Sequence, residues 1–244
     1  MRIELDCHTH SLASGHAYNT MTEMIQAAAD KGLKLLALTE HAPSMPGSCG
    51  YYYFYNYKIL PRIRNGIEVM YGVELNIMDY KGTLDLPKQY IETTDLRIAS
   101  LHTPCVKPGT MEENTAALLG AIHSPFVDIL GHPDDGRYPL DYEKIVSEAK
   151  KFGKIIELNN SSLNPSNSRT MTKENDCILL EKCRKYEVPV IMGSDSHADF
   201  QIGEFENALA LIQEVDFPKE LILNDSVEKF KNYLSIGREM GKKL

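Results

Sequence analysis

The chain alternates short apolar runs with longer segments in which apolar residues recur every three or four positions. The short runs, rich in valine, isoleucine and leucine, predict seven β-strands, at 3–5, 35–38, 69–73, 96–101, 127–130, 155–158 and 190–192. The helical pattern predicts helices at 22–31, 111–123, 141–152, 173–187 and 206–214, the first of them capped by Thr22. Segment 43–66 is less regular, and we expect a long loop over one face. Alternation of this kind is typical of successive β-α units with a largely parallel sheet.

The 244 residues include no linker-like stretch rich in proline, glycine or serine, so we expect one domain that spans 1–244. No apolar run is long enough for a membrane helix, and the start does not resemble a secretion signal. The five cysteines are odd in number and contain no Cys-x-x-Cys pair, which favours reduced thiols and a cytoplasmic protein. We expect no membrane association, and a homo-oligomer stays open.

The formal net charge of the chain is −8 at pH 7. Binding of long nucleic acids needs a basic surface that releases counterions, so this charge argues against an extended nucleic-acid partner. A small-molecule substrate is favoured instead.

Seven of the eight histidines lie in short polar clusters at the ends of apolar runs. One glutamate and one aspartate join them, which gives nine candidate metal ligands: His8, His10, His16, His41, Glu74, His102, His132, Asp195 and His197. In a β/α barrel the carboxyl ends of the strands form the active face, so residues far apart in sequence converge there. A structural zinc site closes with four ligands. Nine imidazole and carboxylate groups therefore predict several ions in one pocket.

Each histidine taken alone has an ordinary explanation, because a single histidine after a strand is usually a hydrogen-bonded loop residue. His123 lies at a predicted helix end, outside the pattern, and we assign it no chemistry. The sixth strand carries no candidate ligand, and a polar set that begins at Asn159 follows it. Asp6 and Glu40 are expected to orient ligands or to cap, since a ligating imidazole usually needs a partner for its other ring nitrogen.

Together these motifs resemble the PHP (polymerase and histidinol phosphatase) superfamily of metal-dependent phosphoesterases. The motifs are Asp6-Cys7-His8-Thr9-His10, Thr39-Glu40-His41, Gly72-Val73-Glu74, Leu101-His102, Gly131-His132-Pro133 and Gly193-Ser194-Asp195-Ser196-His197. Within the superfamily the chain is most similar to the YcdX-type phosphatases. That likeness rests on Ser14-Gly15-His16-Ala17-Tyr18, Leu158-Asn159-Asn160-Ser161-Ser162, Gly203-Glu204-Phe205 and Val215-Asp216-Phe217-Pro218. The chain departs from its relatives at Cys7 and Glu40, where they often carry Leu and Asp.

The resemblance implies an α/β fold, a distorted TIM-like (β/α)7 barrel of the PHP type, with a trinuclear metal site. A first ion would be held by His8, His10, Glu74 and Asp195. A second would be held by Glu74, His102 and His132, so that Glu74 bridges two ions. A third would be held by His16, His41 and His197. We expect zinc, with manganese or iron as alternatives, because imidazole and carboxylate ligands accept all three metals.

Three divalent ions, two carboxylates and neutral imidazoles give a pocket charge of about +4, which attracts an anion. Two neighbouring ions lower the pKa of a shared water and hold it in line with a phosphorus atom. The expected reaction is hydrolysis of a small-molecule phosphomonoester by a metal-bound hydroxide, with Glu74, Asp195 and His197 as catalytic residues. Candidate substrate contacts are Asn159, Arg137 and Arg169.

Three other functions stay open at this point. A PHP-type nuclease or phosphodiesterase would favour a basic groove or an inserted domain, and the sequence shows neither. An amidohydrolase-like metal hydrolase also uses His-x-His on a β/α barrel, but the third group of histidines counts against it. A non-enzymatic role, such as metal sensing, is disfavoured by the complete set of ligands.

Overall fold

The structure is a computed structural model that describes residues 1–241. Its strands form one sheet and are β1 (Leu5–Asp6), β2 (Leu35–His41), β3 (Ile63–Arg64), β4 (Ile67–Asn76), β5 (Arg97–Ser100), β6 (Ile129–Leu130), β7 (Ile155–Asn159) and β8 (Val190–Gly193). Seven of them are parallel in the order β1-β2-β4-β5-β6-β7-β8, while β3 pairs antiparallel with β4. The parallel strands form a nearly closed barrel, so the predicted α/β barrel is confirmed.

Helices connect most of the parallel strands. They are α1 (Met21–Asp30), α2 (Tyr51–Tyr55), α3 (Lys88–Ile91), α4 (Met111–His123), α5 (Tyr142–Lys151), α6 (Thr172–Tyr186), α7 (Glu206–Glu214) and α8 (Val227–Gly241). Short 3₁₀ helices occur at Leu12–Ser14, Asn56–Ile59, Asp199–Gln201 and Lys219–Leu221. Among the helices of residues 1–241, none is long and apolar enough to cross a membrane.

The barrel interior changes from apolar to polar along each strand. On β4, for example, Met70 belongs to the interior apolar cluster, and Glu74 lies on the same face four residues later. On β7, Ile155 is followed on that face by Glu157 and Asn159. This follows from the two-residue period of a strand, which keeps alternate side chains on one face. The apolar half holds the barrel together, and the polar half faces its carboxyl end.

The first and last strands meet at their carboxyl ends through backbone contacts of candidate ligands. The N–H of Asp195 donates to the carbonyl of His8 at 2.9 Å, and the N–H of His10 donates to the carbonyl of Ser196 at 2.9 Å. Thr9 and Ser196 form an isolated parallel bridge. The barrel seam is therefore closed by the same segments that carry four of the predicted ligands.

Further from the carboxyl ends of β1 and β8, the buried side chain of Asn224 bridges the two strands. Its Oδ1 accepts from the N–H of Met192 at 2.7 Å, and its Nδ2 donates to the carbonyl of Met192 at 2.8 Å. Nδ2 also donates to the carbonyl of Leu5 at 3.3 Å. One amide side chain thus joins β8 to β1.

Several elements differ from the sequence prediction. Segment 43–66, expected to be a loop, contains α2, a 3₁₀ helix and β3. Helix α8 was not predicted; it buries Phe230 and Leu234 against the barrel interior cluster. The expected cap Thr22 is wrong, because Thr20 caps α1 in a reciprocal pair with Glu23. That capping box satisfies two helix N-terminal donors, which Thr22 inside the helix could not do.

Candidate metal centre

The nine candidate ligands all lie at the carboxyl end of the barrel. His8, His10, His41, Glu74, His102, His132 and Asp195 are buried, whereas His197 is partly exposed and His16 is exposed at the edge. The Nε2 atoms of His16 and His197 are 3.0 Å apart, which connects the exposed edge to the buried group. Residues from six parallel strands and the loops after them therefore form one cluster.

Glu74 lies at the centre of this cluster and is fully buried. Its Oε2 is 2.7 Å from His41 Nδ1, 3.4 Å from His8 Nε2 and 3.5 Å from His10 Nε2. Its Oε1 is 2.9 Å from His132 Nε2 and 3.2 Å from His102 Nε2. One carboxylate thus faces five imidazoles, which is the arrangement expected of a bridging ligand.

Asp195, which follows β8, faces two of these five imidazoles. Its Oδ1 is 3.6 Å from His8 Nε2 and 3.4 Å from His10 Nε2. Its Oδ2 accepts from the Nη1 and Nη2 atoms of Arg169, each at 3.2 Å, and from Asn159 Nδ2 at 3.2 Å. One oxygen is therefore directed at the imidazoles, and the other is held by Arg169 and Asn159.

Three groups of side chains have ligand atoms within 4.8 Å of one another and could each hold an ion. They are His10 with His41 and His197, His8 with His10 and Glu74, and His41 with Glu74 and His102. These groups overlap with the three expected sets but are not identical to them, because His10 and His41 each occur in two groups. His16, His132 and Asp195 lie next to these groups rather than inside them.

The buried polar atoms of the cluster test whether cations fit here. In the described part of the chain, His8 Nε2, His10 Nε2, His41 Nδ1 and Glu74 Oε2 form no hydrogen bond of good geometry, although the last two atoms lie 2.7 Å apart. Buried polar atoms are satisfied in most native proteins, and each unpaired one carries a desolvation cost. Imidazole nitrogens and carboxylate oxygens directed at a common point are suitable ligands for zinc, manganese or iron. The donor set therefore fits divalent cations.

Buried hydrogen bonds hold the Nδ1 atoms of two of the histidines, His10 and His102. His10 Nδ1 is 2.9 Å from the hydroxyl of Ser14, which donates to the Glu40 carboxylate at 2.6 Å. His102 Nδ1 is 2.7 Å from the Oδ1 atom of Asn76. Such partners fix the tautomer and the ring orientation of a ligating histidine. They leave Nε2 of each ring free to face the centre.

Sequence reasoning missed one carboxylate that contacts the cluster, Glu157 on β7. Its Oε1 lies 2.6 Å from His8 Nδ1, and its Oε2 accepts from the backbone N–H of His132 at 2.7 Å. The available signal was a single charged residue inside the apolar run Ile155-Ile156-Glu157-Leu158. A buried strand excludes an unpaired carboxylate, so this position required an internal partner.

Electrostatics favour the cation-binding protonation states of several of these residues. His8 is the exception: burial alone would lower its pKa, but the carboxylates of Glu157, Glu74 and Asp195 raise it well above its ordinary value. Burial, followed by the neighbouring His41 and His197, lowers the pKa of His10 well below its ordinary value. The same causes lower the pKa of His16 to about 4. Burial alone would raise the pKa of Glu74, but the surrounding histidines hold it well below its ordinary value. Neutral imidazoles and an ionised carboxylate are the forms that ligate metals.

The two candidate phosphate clamps differ in their surroundings. Arg169 is nearly buried and reaches Asp195, the hydroxyl of Ser162 at 2.8 Å and Asn159 Oδ1 at 3.3 Å. Arg137 is about one third exposed and forms several bonds to the carboxylate of Asp135, the shortest at 2.6 Å. Arg169 is thus part of the cluster, while the guanidinium of Arg137 is already engaged outside it.

A buried carboxyl group near the cluster has no partner of its own. Neither carboxylate oxygen of Asp176, on α6, has a hydrogen-bond partner within residues 1–241. Burial, and then the nearby carboxylate of Asp134, raise the pKa of Asp176 well above its ordinary value. This group favours its neutral form in the folded protein.

The barrel agrees with the PHP-type fold that the sequence motifs resemble. The PHP domain family matches residues 6–164, and the chain belongs to this family. A probable phosphatase of Clostridium novyi (strain NT) is 47% identical over 234 residues, covering 96% of this chain and 95% of that protein. A probable phosphatase of Acetivibrio thermocellus is 42% identical and covers 98% of each chain. These matches confirm the predicted family and the prediction of a phosphatase-type enzyme.

Two solved structures share the fold. Histidinol phosphate phosphatase from Lactococcus lactis, complexed with zinc, L-histidinol and phosphate, has a TM-score of 0.61 at 18% identity, covering 88% of this chain and 94% of that chain. A chain of archaeal ribonuclease P with mature tRNA has a TM-score of 0.57 at 17% identity, covering 98% and 92%. At these identities the likeness concerns the fold alone.

Proposed function

We propose that this protein is a metal-dependent phosphatase that hydrolyses a small-molecule phosphomonoester at a trinuclear site. The observation that carries the proposal is the buried carboxylate of Glu74, which faces five imidazoles whose nearest nitrogens lie 2.7 to 3.5 Å away. The names of the curated relatives support the reaction class. Zinc is the first choice of metal, since the histidinol phosphate phosphatase of the same fold is complexed with zinc. Manganese and iron are the alternatives.

The proposed ligands are divided among three ions. The first ion takes His8, His10, Glu74 and Asp195; the second takes Glu74, His102 and His132; the third takes His16, His41 and His197. In the described geometry the ligand atoms of His10, His41 and His197 also fall within one group. We therefore expect His10 and His41 to lie at the boundary between neighbouring ions.

When bound, divalent ions would supply a water of lowered pKa and positive charge for the phosphate oxygens. The chain itself supplies orientation. Arg169 and Asn159 hold one oxygen of Asp195, so its other oxygen stays directed at His8 and His10. His197 Nδ1 lies 3.0 Å from the backbone carbonyl of Asp195, which directs Nε2 toward His16. Glu74, Asp195 and His197 are thus the proposed catalytic group.

The preference for a monoester follows from charge. A phosphomonoester is close to a dianion near neutral pH and offers more terminal oxygens than a diester to a pocket of about +4. The net charge of −8 repels a polynucleotide backbone within a Debye length of about 8 Å.

Arg169 and Asn159 are the proposed substrate contacts, and we expect a smaller contribution from Arg137 because Asp135 already binds it. One domain over 1–244 and a cytoplasmic setting remain parts of the proposal.

The experiment compares kcat/KM for small phosphomonoesters, phosphodiesters, single-stranded oligonucleotides and amides. One zinc-loaded preparation is used throughout, with the chelated protein as control. We expect the monoesters to be hydrolysed fastest and chelation to abolish the reaction. Faster cleavage of oligonucleotides would support the nuclease alternative, and amide hydrolysis would support the amidohydrolase-like one.

A further inference from the structure

Glu157 is a buried carboxylate that belongs to none of the three ligand groups. It is 1% exposed, and both of its oxygens are engaged. Oε1 lies 2.6 Å from His8 Nδ1. Oε2 accepts from the backbone N–H of His132 at 2.7 Å and from Asn159 Nδ2 at 3.1 Å. Its contacts thus join a ligand that follows β1 to a ligand that follows β6.

The contact to His132 stabilises an unusual backbone conformation. His132 has a φ of 29°, in the left-handed region that residues other than glycine rarely adopt. A bond to the N–H of that residue fixes the direction in which its ring leaves the backbone. From this position His132 Nε2 reaches Glu74 Oε1 at 2.9 Å. Glu157 therefore offsets the cost of a conformation that brings His132 to the cluster.

The neighbouring strand leaves room for the Glu157 carboxylate. A Cβ atom at Gly193, on β8, would lie 2.0 Å from Glu157 Oε1. That separation is far inside van der Waals contact, so no other residue at position 193 allows the carboxylate to stay in place. The position of the Glu157 carboxylate therefore explains, on steric grounds, why the Gly193-Ser194-Asp195-Ser196-His197 motif begins with glycine.

We propose that Glu157 is a positioning residue that fixes two ligands of different ions at once, the ring of His8 and the backbone of His132. By accepting from His8 Nδ1, it keeps the proton on that nitrogen and leaves the lone pair of Nε2 for an ion. By accepting from the His132 N–H, it orients the second ligand. This inference rests on the proposed metal site and deepens it.

Glutamine cannot replace Glu157 in this role, although it has nearly the same shape. Both oxygens of Glu157 accept from donors, whereas glutamine offers one acceptor and one donor. If its oxygen serves the N–H of His132 and Asn159 Nδ2, its amide nitrogen faces His8 Nδ1. His8 must then carry its proton on Nε2, where it can no longer ligate. Glu157→Gln should therefore weaken the ion that His8 holds.

The test measures zinc binding in competition with a chromophoric chelator for the wild type and Glu157→Gln. We expect Glu157→Gln to bind at least one zinc about 10- to 100-fold more weakly, or to lose it, because outer partners of ligands contribute this much. The control is Asp128→Asn, which removes a buried carboxylate paired with Arg238 at the start of β6. It should lower Tm while leaving zinc stoichiometry and affinity unchanged.

A spectroscopic measurement on the wild type does not depend on how a variant folds. In the zinc-loaded protein, imidazole ¹⁵N chemical shifts should show His8 protonated at Nδ1 and ligated through Nε2. Ligation through Nδ1 would overturn the proposal, as would zinc affinity of Glu157→Gln within about twofold of the wild type. Failure of the wild type to bind zinc, manganese or iron would instead remove the proposed function itself.

Discussion

Both terminal nitrogens of Arg169 donate to a single oxygen of Asp195, each at 3.2 Å. The pair is nearly buried, so water competes weakly for either partner. The relationship makes Arg169 part of the support for Asp195, in addition to any contact with the phosphate.

Replacement of Arg169 by lysine keeps the charge but removes the fork that holds Asp195. We expect Arg169→Lys to lower kcat/KM for a phosphomonoester by roughly 10- to 100-fold, the range found for partners that orient ligands. Steady-state kinetics and zinc affinity check this outcome. Arg137→Lys should have a smaller effect, because the guanidinium of Arg137 pairs with Asp135 in the wild type. Equal effects of the two variants would contradict this distinction.

Loss of Glu74 should be the most damaging single change among the ligands. Glu74→Gln halves the acceptor capacity of the residue that faces five imidazoles, so we expect more than about 100-fold loss of kcat, above the range for residues outside the ligand set. Zinc content should fall with it. His123→Ala is the control, because His123 is half exposed on α4 and pairs with Glu148 at 3.0 Å, outside the cluster. Similar losses in both variants would refute the assignment.

Removal of metal should lower the stability of the protein. Ions that bind only the folded state stabilise it by about 2.7 kcal/mol at a free concentration 100 times Kd. For a chain of this length we expect chelation to lower Tm by roughly 5 to 10 °C. Differential scanning calorimetry with and without chelator measures the shift. An unchanged Tm would contradict tight binding at the cluster.

The stability of the fold should depend on pH through Asp176. Its pKa is raised well above 3.8 by burial and by Asp134, so the folded state binds more protons than the unfolded state above that pH. Stability is therefore lost as pH rises from about 4 toward the raised pKa. Asp176→Asn should remove this loss and raise the free energy of unfolding at pH 8, with little effect at pH 4. Chemical denaturation at both pH values tests this, and a lower stability of the variant at pH 8 would contradict it.

The seven parallel strands could be predicted because each short apolar run is rich in valine, isoleucine and leucine. Their bounds shifted where tertiary contacts extend a strand, as in β4, which reaches Asn76 rather than residue 73. Helix α8 was missed although Val227, Phe230 and Leu234 follow the i, i+3, i+7 spacing of an amphipathic helix.

The candidate ligands could be listed from the sequence, but the side chains that contact them could not. His8 and His10 follow a strand in a recognisable motif, whereas the contact between Glu157 and His8 joins residues 149 positions apart in the sequence. The bond from Ser14 to Glu40 likewise arises only when the loop after β1 folds against β2. Periodicity reports which face a residue occupies, and not which residue lies opposite.

The seam between β1 and β8 gives the ions a further role. The amides of His10 and Asp195 form the backbone bonds that close it, and both residues are proposed ligands. An ion bound by these two residues at the proposed first site would therefore also favour the closed form of the seam. Hydrogen exchange at these two amides should slow when zinc is added. The exchange rates would then report directly on metal occupancy.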